Sequence, residues 1–362
     1  MSILSDTRHY EAWLRENCDV VNADLIHKHK RMRKNAFVFL RATYYRWARK
    51  IETWCPELMD APDVLSVGDT HTENFGTWRD REGRLVWGVN DFDETAVMPY
   101  TLDLVRLATS VVLAPKRRLA VRDACLAILS GYRRGLAEPR PTLLDQQELW
   151  MRPFVACSDE DRKDFWREVS KYPDAKPPRN VIRGLKRKLP KQARIVRFCT
   201  RVKGGGSLGR PRYLVVATWR GGEIVREAKA TVPSAWEWAK QRSSQHLQAL
   251  KLATDRFRSP DPFFDIDRHF IYRRVDADAR KVELEDNAGA HLKRELLRAM
   301  GFDLGAIHAA DPHGRKISRD LRRRPPDWLR RNTGVAVTAV RSDYEDWCKL
   351  SGRKYKNVFG IT

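Results

Sequence analysis

The sequence lacks long apolar runs and closely spaced cysteines. No stretch of about 18 consecutive apolar residues occurs, so the sequence predicts no transmembrane helix. Its first residues, 1–6, lack the basic start and the apolar run of a secretory signal peptide. Six cysteines are scattered along the chain without a Cys-x-x-Cys pair, which argues against a zinc site. We therefore expect reduced thiols in a cytoplasmic protein.

Acidic residues are fewer than basic ones. The 362 residues include 69 Lys and Arg against 47 Asp and Glu, which gives a net charge of +22. Such a charge favours anionic partners, among them a nucleotide, a nucleic acid, an acidic protein or a membrane surface, and does not choose among them. The length is sufficient for two domains or for one bilobal unit.

Two segments, 67–76 and 85–94, carry the strongest functional pattern. Each begins with apolar residues of strand character and ends in acidic or amide side chains. Residues 79–84 between them are polar and closed by a glycine, which predicts a hairpin. A cluster of oxygen ligands without cysteine suits a hard cation such as Mg²⁺. The residues that the hairpin would bring to one rim are Asp69, Asn74, Asp91 and Asp93.

The spacing of these residues is typical of phosphoryl transfer. Asp69-x-x-x-x-Asn74 has the spacing of the kinase catalytic loop, and Asp91-Phe92 matches the kinase metal-binding element. In such sites one carboxylate orients the attacking hydroxyl, while an Asn and a second Asp hold the metal that bridges the nucleotide phosphates. The alternative is that these residues cap a turn or are solvated loop acids. Because both halves occur in order, each behind an apolar strand, we favour a site.

Helices are predicted for 1–62, 100–113, 115–195 and 286–350. Asp103, near the start of the second of these regions, could be a first-turn acid favoured by the helix dipole. It could instead brace the catalytic loop through backbone N–H groups, since a buried charge needs such partners. We interpret His308 as a packed helix residue and the basic run 27–34 as a solvated helix face.

A block of strands is predicted to begin at residue 196. Between its first two strands lies a G-x-G-x-x-G match at 204–209, but a strand rather than a helix follows, which argues against a dinucleotide fold. A glycine loop between strands, followed by a strand with a lysine, is the layout of the kinase phosphate-binding loop and its lysine. The alternative is a mobile hairpin loop with a surface lysine. The predicted strands are 196–202, 212–219, 224–230, 270–275 and 281–284.

We therefore interpret five residues as nucleotide-binding: Gly204, Gly206, Ser207, Gly209 and Lys229. A kinase lysine usually pairs with a helical glutamate. Glu237 is the only acid early in a helix predicted at 233–255, and whether it pairs with Lys229 is left open.

The order of these elements differs from that of an ordinary kinase, in which the glycine loop precedes the catalytic loop. Either the glycine loop is unrelated to the site, or the fold is circularly permuted, which is possible when the natural termini lie close together. We prefer permutation, because it explains a strand block between helical ones. The predicted fold is α+β: a bilobal protein-kinase-like fold, circularly permuted. Its small antiparallel sheet lobe would be 196–285, and its larger helical lobe would be 1–195 completed by 286–362.

Three segments, 68–76, 90–94 and 103–108, resemble the uncharacterised bacterial proteins described as domain of unknown function 2252. The resemblance extends from 37–41 through the glycine loop and Lys229 to the helix of His308. The same core is similar to aminoglycoside and choline-type phosphotransferases. These have a Gly-Asp-x-His-x-x-Asn loop, then an Asp-Phe or Asp-Trp element, then an Asp-Leu-Ala helix start.

The resemblance implies Asp69 as the catalytic base, Asn74 and Asp91 as Mg²⁺ ligands and Asp103 as the brace. We therefore take Asp69 and Asp103 as the candidate catalytic residues. Asp103-Leu104-Val105 departs mildly from Asp-Leu-Ala. The pattern does not fix the role of Asp93, which we add to the candidate metal ligands because it lies at the same predicted rim.

These observations predict an ATP-dependent phosphotransferase that uses Mg²⁺ and acts on an unknown acceptor, for which an anionic molecule is one option. One alternative is a basic nucleic-acid-binding protein in which the acidic cluster is structural. Another is a hydrolytic metal site, or nucleotidyl transfer, on the same acidic cluster. His71-x-Glu73 superficially resembles a zinc deaminase motif, but the later Pro-Cys-x-x-Cys is missing.

Overall fold

The chain is a mixed α+β structure with antiparallel sheets. The computed structural model describes residues 1–115, 119–242, 248–282 and 289–350. Within these ranges the strands form sheets of two, three and five strands, and the paired strands are antiparallel. The α+β class predicted from the sequence is therefore confirmed. Of the predicted C-terminal segment, 286–288 and 351–362 lie outside the described residues.

Helices occupy the regions where the apolar periodicity predicted them. No helix in the described ranges is both long and apolar enough to cross a membrane. The helices are α1 (Ile3–Asn17), α2 (Asn22–Met32), α3 (Ala36–Ala42), α4 (Tyr44–Trp54), α5 (Thr101–Leu113), α6 (Val121–Ala137), α7 (Arg152–Val155), α8 (Asp159–Ser170), α9 (Arg179–Arg187), α10 (Ala235–Lys240), α11 (Gln248–Ala253), α12 (Ala290–Ala309), α13 (Gly314–Arg323) and α14 (Trp328–Cys348).

The predicted hairpin is present, but its first strand begins later than expected. The hairpin consists of β2 (Phe75–Arg79) and β3 (Leu85–Val89), whereas the apolar strand before Asp69 is β1 (Asp63–Ser66). Gly68, at φ +86°, turns the chain after β1, so residues 67–71 form a loop, and a short 3₁₀ helix (Thr72–Asn74) follows in place of a strand. β1 pairs with β4 (Ala96–Pro99), and β3 also pairs with the two-residue β5 (Thr142–Leu143).

The five-stranded sheet contains the predicted strand block, in the spatial order β6-β7-β8-β10-β9. Four predicted strands are present, whereas β9 was not predicted. In the predicted strand 281–284, residues 281 and 282 are not in a strand, and 283 and 284 lie outside the described residues. The strands are β6 (Arg194–Thr200), β7 (Arg212–Trp219), β8 (Gly222–Ala230), β9 (Asp265–Ile266) and β10 (Phe270–Val275).

The two faces of this sheet differ, because side chains alternate along a strand. On one face Val215 and Ala228 pack against Val181 and Leu185 of α9. On the other face the rows nearest the β7–β8 turn are apolar and pack against α8. The opposite end of that second face carries charged residues, which face a cavity between the sheet and the loops after β1 and β3.

Helices α6 and α12 cross in close contact through glycines. A Cβ atom placed on Gly131 would lie 1.9 Å from the carbonyl oxygen of Arg298, and one on Gly301 would lie 2.2 Å from that of Ile128. A side chain at either position would therefore push the helices apart. The crossing places α12 beside β3, where Asp303 accepts a hydrogen bond from the backbone N–H of Val89 at 2.7 Å.

Candidate active site

A cavity of about 830 Å³ lies between the loops that follow β1 and β3 and the five-stranded sheet with its glycine loop. Of the predicted site residues, Asp103, Gly209 and Lys229 are buried beside it. The others line it: Asp69, Asn74, Asp91, Asp93, Gly204, Gly206 and Ser207. The structure therefore brings two groups of residues, far apart in sequence, together around one cavity.

Asp103 holds the loop that follows β1. Its carboxylate is fully buried and accepts hydrogen bonds from the backbone N–H groups of Val67 and Gly68, each at 2.9 Å. His308 Nε2 lies 3.1 Å from the same carboxylate, and the Tyr132 hydroxyl lies 2.8 Å from His308 Nδ1. These contacts fit the bracing role considered from the sequence.

Asp69 is paired with Arg106 of α5. Arg106 Nε lies 2.8 Å from Asp69 Oδ1, and a terminal nitrogen of the same guanidinium also contacts that oxygen. The guanidinium stacks over the rings of Tyr44 and Trp47. Burial raises the pKa of Asp69, and Arg106 opposes that rise. Because Arg106 engages Oδ1, Oδ2 is the oxygen better placed for an acceptor hydroxyl.

Asn74 lies beside Asp91 at the end of the β2–β3 hairpin. The Asn74 side-chain nitrogen donates to the backbone carbonyls of Asp69 and Asp91, at 3.1 and 3.4 Å. This orientation leaves the amide oxygen as the atom available to a cation. In the register of the hairpin, Phe75 lies opposite Val89, so the residues that follow β3 come next to Asn74.

The side-chain oxygens here are of the kind that could hold a Mg²⁺ ion together with the phosphates of a bound substrate. In the part of the chain that the structure describes, no group of three or more His, Cys, Asp or Glu side chains is arranged to hold a metal ion. Mg²⁺ does not need such a cage, since it usually keeps several waters and binds one or two carboxylates together with substrate phosphates. Asn74 and Asp91 are the residues that would hold it.

Lys229 lies against the carboxylates that follow β3. Its Nζ is 3.3 Å from Asp91 Oδ1 and 2.7 Å from Asp93 Oδ1. Desolvation opposes ionisation of Asp91, but the charges of Lys229 and Arg273 outweigh it and lower the pKa of Asp91. The acid considered from the sequence, Glu237, is not a partner in these ion pairs. Asp91 and Asp93 are the acids that contact the lysine.

Arg210 connects Asp93 to Glu94. Its two terminal nitrogens lie 3.5 Å from Asp93 Oδ2 and 3.1 Å from Glu94 Oε1. Burial raises the pKa of Glu94 to about 7, while its other oxygen accepts a hydrogen bond from the backbone N–H of Ala235 at 2.6 Å. The side chain of Asp93 is 9% exposed and that of Asp91 is 45% exposed. Asp91 is therefore the more accessible candidate metal ligand.

The glycine loop is held by the basic helix α2. Lys28 Nζ donates to the carbonyl oxygen of Gly206 at 2.9 Å, and Arg31 donates to that of Gly204 at 2.7 Å. The expectation that residues 27–34 form a solvated face is wrong for Lys28, which is buried. No local pattern predicts this contact, because it joins residues more than 170 positions apart.

The glycine loop passes close to Asp69. A Cβ atom placed on Gly206 would lie 3.5 Å from Asp69 Oδ2 and 3.2 Å from the carbonyl oxygen of Arg41. Gly209 has φ +98°, and a Cβ atom there would lie 2.5 Å from the side chain of Leu25. Glycine at Gly209 therefore allows both the backbone conformation and the contact with α2. The glycine loop is therefore in near contact with the candidate base.

Three arginines meet on Glu227, which precedes Lys229 by two residues in β8. Glu227 is fully buried, and its oxygens accept hydrogen bonds from Arg201 at 2.8 Å, Arg212 at 3.0 Å and Arg273 at 2.6 Å. Burial opposes ionisation, but the three guanidinium groups hold the pKa of Glu227 well below its usual value. All three arginines line the cavity. The sheet side of the cavity is therefore positive, opposite the acidic loops.

Comparison with known proteins finds one family model that matches part of the chain. Residues 21–171 match the family model described as "Uncharacterized protein conserved in bacteria (DUF2252)". This match supports the family part of the resemblance seen in the sequence. The DUF2252 region contains the loops of Asp69, Asn74 and Asp91 and ends before the five-stranded sheet begins at Arg194. No curated protein and no solved structure matches the chain.

Proposed function

We propose that this chain is an ATP-dependent phosphotransferase that uses Mg²⁺ and acts on an acceptor hydroxyl. The observation that carries the proposal is the contact of Lys229 with Asp91 and Asp93, which joins the glycine-loop sheet to the acidic loops. In kinase-like sites a lysine pairs with the nucleotide phosphates beside an Asn and an Asp that hold the metal. Lys229, Asn74 and Asp91 supply these three groups around one cavity.

Each residue would have a separate part in the transfer. Asp69 would orient the acceptor hydroxyl through Oδ2, while Arg106 holds the carboxylate in place. Lys229 would exchange its carboxylate partners for phosphate oxygens when the ligand binds. Mg²⁺ on Asn74 and Asp91 would supply charge neutralisation on the phosphates. Most of the rate enhancement would then come from positioning and from charges arranged in advance.

The same contacts support a circularly permuted, bilobal kinase-like fold. The sheet from β6 to β10, with its glycine loop and lysine, follows the acidic loops in the chain and faces them across the cavity. Residues 196–285 would be the nucleotide-binding lobe, inserted between the two parts of the helical lobe. In an unpermuted kinase the same pieces occur in the opposite order.

Calorimetric titration with ATP, with and without Mg²⁺, tests this function. We expect Mg²⁺ to tighten ATP binding and Asp91→Ala to remove most of that gain, because a protein ligand of the metal is lost. Asp60→Ala, which removes an exposed aspartate, should bind as the wild type does. If Asp91→Ala bound ATP with Mg²⁺ as tightly as the wild type, the metal assignment would be wrong.

Asp69→Asn separates binding from chemistry. This variant should bind ATP with Mg²⁺ normally, since the residues proposed to hold the nucleotide and the metal are unchanged. It should lose the slow hydrolysis of ATP that occurs in the absence of acceptor. Hydrolysis at the wild-type rate would contradict the role given to Asp69.

A basic nucleic-acid-binding protein is the second candidate, and α13 is the observation that favours it. This helix exposes five cations along ten residues: Arg315, Lys316, Arg319, Arg322 and Arg323. Binding to DNA or RNA that falls steeply with salt and is unaffected by Asp69→Ala would support this candidate over the phosphotransferase.

A further inference from the structure

The three arginines on Glu227 outnumber the carboxylate that they share. Glu227 contributes one negative charge, while Arg201, Arg212 and Arg273 contribute three positive ones. Arg201 and Arg212 are each 7% exposed, so water screens their mutual repulsion poorly. Like charges buried together are unfavourable unless counter-charges accompany them. Asp91 and Asp93 offset part of the charge of Arg273. All three arginines line the cavity, where an anionic ligand could contact them.

The register of the sheet places two of these cations on the strands that flank Lys229. Arg212 lies opposite Lys229 across the β7–β8 pair, and Arg273 lies opposite Glu227 across the β8–β10 pair. Neighbouring strands are about 4.8 Å apart, so the three strands carry cations over a span of about 10 Å. A single phosphate would contact only part of this group of cations, whereas a chain of phosphates could contact several of them.

Arg212 also connects this group of cations to the glycine loop. Its second terminal nitrogen lies 3.2 Å from the Ser207 hydroxyl, while the first contacts Glu227. The arginine therefore lies beneath the loop that would cover the phosphates. Guanidinium groups bind phosphate oxygens through paired hydrogen bonds, which a lysine cannot do.

We propose that Arg201, Arg212 and Arg273, oriented by Glu227, form a polyphosphate subsite in addition to Lys229. The ligand class is a molecule with at least two consecutive phosphates, inorganic or linked to a nucleoside. The inference rests on the proposed function in one respect, which is that a nucleotide is the natural phosphate donor. The subsite itself follows from the charges and the register. Glu227 is a positioning residue that holds the three guanidinium groups at the cavity wall.

A purely structural network is the competing explanation. In that case the arginines would serve only to tie β7, β10 and the segment after β6 to Glu227 on β8. Their removal would then lower the stability of the fold without a specific effect on anion binding. The two explanations therefore differ in the affinity for a polyphosphate measured on folded variants.

Calorimetry with inorganic tripolyphosphate, without metal, is the direct test. We expect the wild type to bind it and Arg273→Gln and Arg212→Gln each to weaken binding by about tenfold or more, the effect of losing charge-assisted hydrogen bonds. Arg194→Gln removes the same charge from an exposed position on β6 and should leave the affinity unchanged. Equal affinity in the wild type and both cavity variants, or no binding by the wild type, would overturn the proposal.

Thermal unfolding of the wild type covers the case in which a variant does not fold. A ligand that binds only the folded state raises the melting temperature. Tripolyphosphate should raise it clearly more than orthophosphate does at equal ionic strength. Equal shifts would mean that no subsite for consecutive phosphates exists.

The same variants separate this inference from the proposed function. If tripolyphosphate binding depended on Arg273 but ATP with Mg²⁺ did not bind, the subsite would stand and the ATP-dependent function would fall. If ATP with Mg²⁺ bound equally well to the wild type and to both arginine variants, the function would stand and the subsite would fall.

Discussion

Lys229 Nζ lies 2.7 Å from Asp93 Oδ1, although the lysine comes from the five-stranded sheet and the aspartate from the loop after β3. The two residues belong to separate sequence patterns. The lysine is part of the predicted phosphate-binding strand, and the aspartate is part of the predicted metal-binding segment. Their contact joins the two patterns in a single cavity. The phosphotransferase proposal depends on this juxtaposition.

Arg106→Gln should destabilise the fold and abolish turnover. Arg106 is fully buried against Asp69, and removing one member of a buried ion pair typically costs about 3–5 kcal/mol because the other charge is left unpaired. Urea unfolding measures this cost. Arg81→Gln, at an exposed turn position, is the control and should change the free energy of unfolding by less than about 0.5 kcal/mol.

The cost of Arg106→Gln should also depend on pH. Protonation of Asp69 at low pH removes the unpaired charge, so the difference between variant and wild type should shrink as the pH falls. A difference that stays constant from neutral to acidic pH would show that the buried pair is not its source.

Gly209→Ala should loosen the glycine loop. Alanine disfavours the φ of +98°, and its Cβ would meet Leu25 at 2.5 Å, so we expect a loss of about 1–3 kcal/mol in unfolding free energy. ATP binding should weaken as the loop shifts. Gly222→Ala, with no atom within 4 Å of its Cβ and no positive φ, is the matched control. Equal stability and equal ATP affinity in the two variants would contradict the role of Gly209.

The longer elements of the fold could be predicted from the sequence, and the short ones could not. Strands β7 and β10 have enough residues for alternation to identify them, and the apolar helix α5 has a clear periodicity. The two-residue strands β5 and β9 have no periodicity at all. Their pairing arises from tertiary contacts. The pairing of β1 with β4 does so too, and it places the strand before the Asp69 loop in a different sheet from the hairpin.

The acidic half of the site was predictable because its residues are close together in sequence, at spacings that phosphoryl transfer requires. Most of the cationic half was not, since Arg212 and Arg273 come from two separate strands and Arg201 follows the end of a third. Alternation within β8 could have indicated that Glu227 shares a face with Lys229. For Arg106, its position three residues after Asp103 could have indicated that both lie on one face of α5.

Glu94 should make the stability depend on pH near neutrality. Its pKa is raised from 4.5 to about 7 by burial, so the folded protein retains a proton that the unfolded chain releases between these values. The contribution is present below pH 4.5 and is lost as the pH rises through this window, by up to about 3 kcal/mol. Glu94→Gln should flatten this dependence in urea unfolding from about pH 5 to pH 8. An unchanged slope in the variant would assign the effect to another group.

The affinity of Lys229→Met for ATP with Mg²⁺, measured by calorimetry beside the wild type, tests most directly whether the sheet and the acidic loops bind one ligand. Methionine preserves most of the side-chain volume and removes the charge. We predict one ATP per chain for the wild type and a loss of affinity of about tenfold or more for the variant, since a buried charge-assisted contact to phosphate is lost. An unchanged affinity in Lys229→Met, or no ATP binding by the folded wild type, would contradict the account.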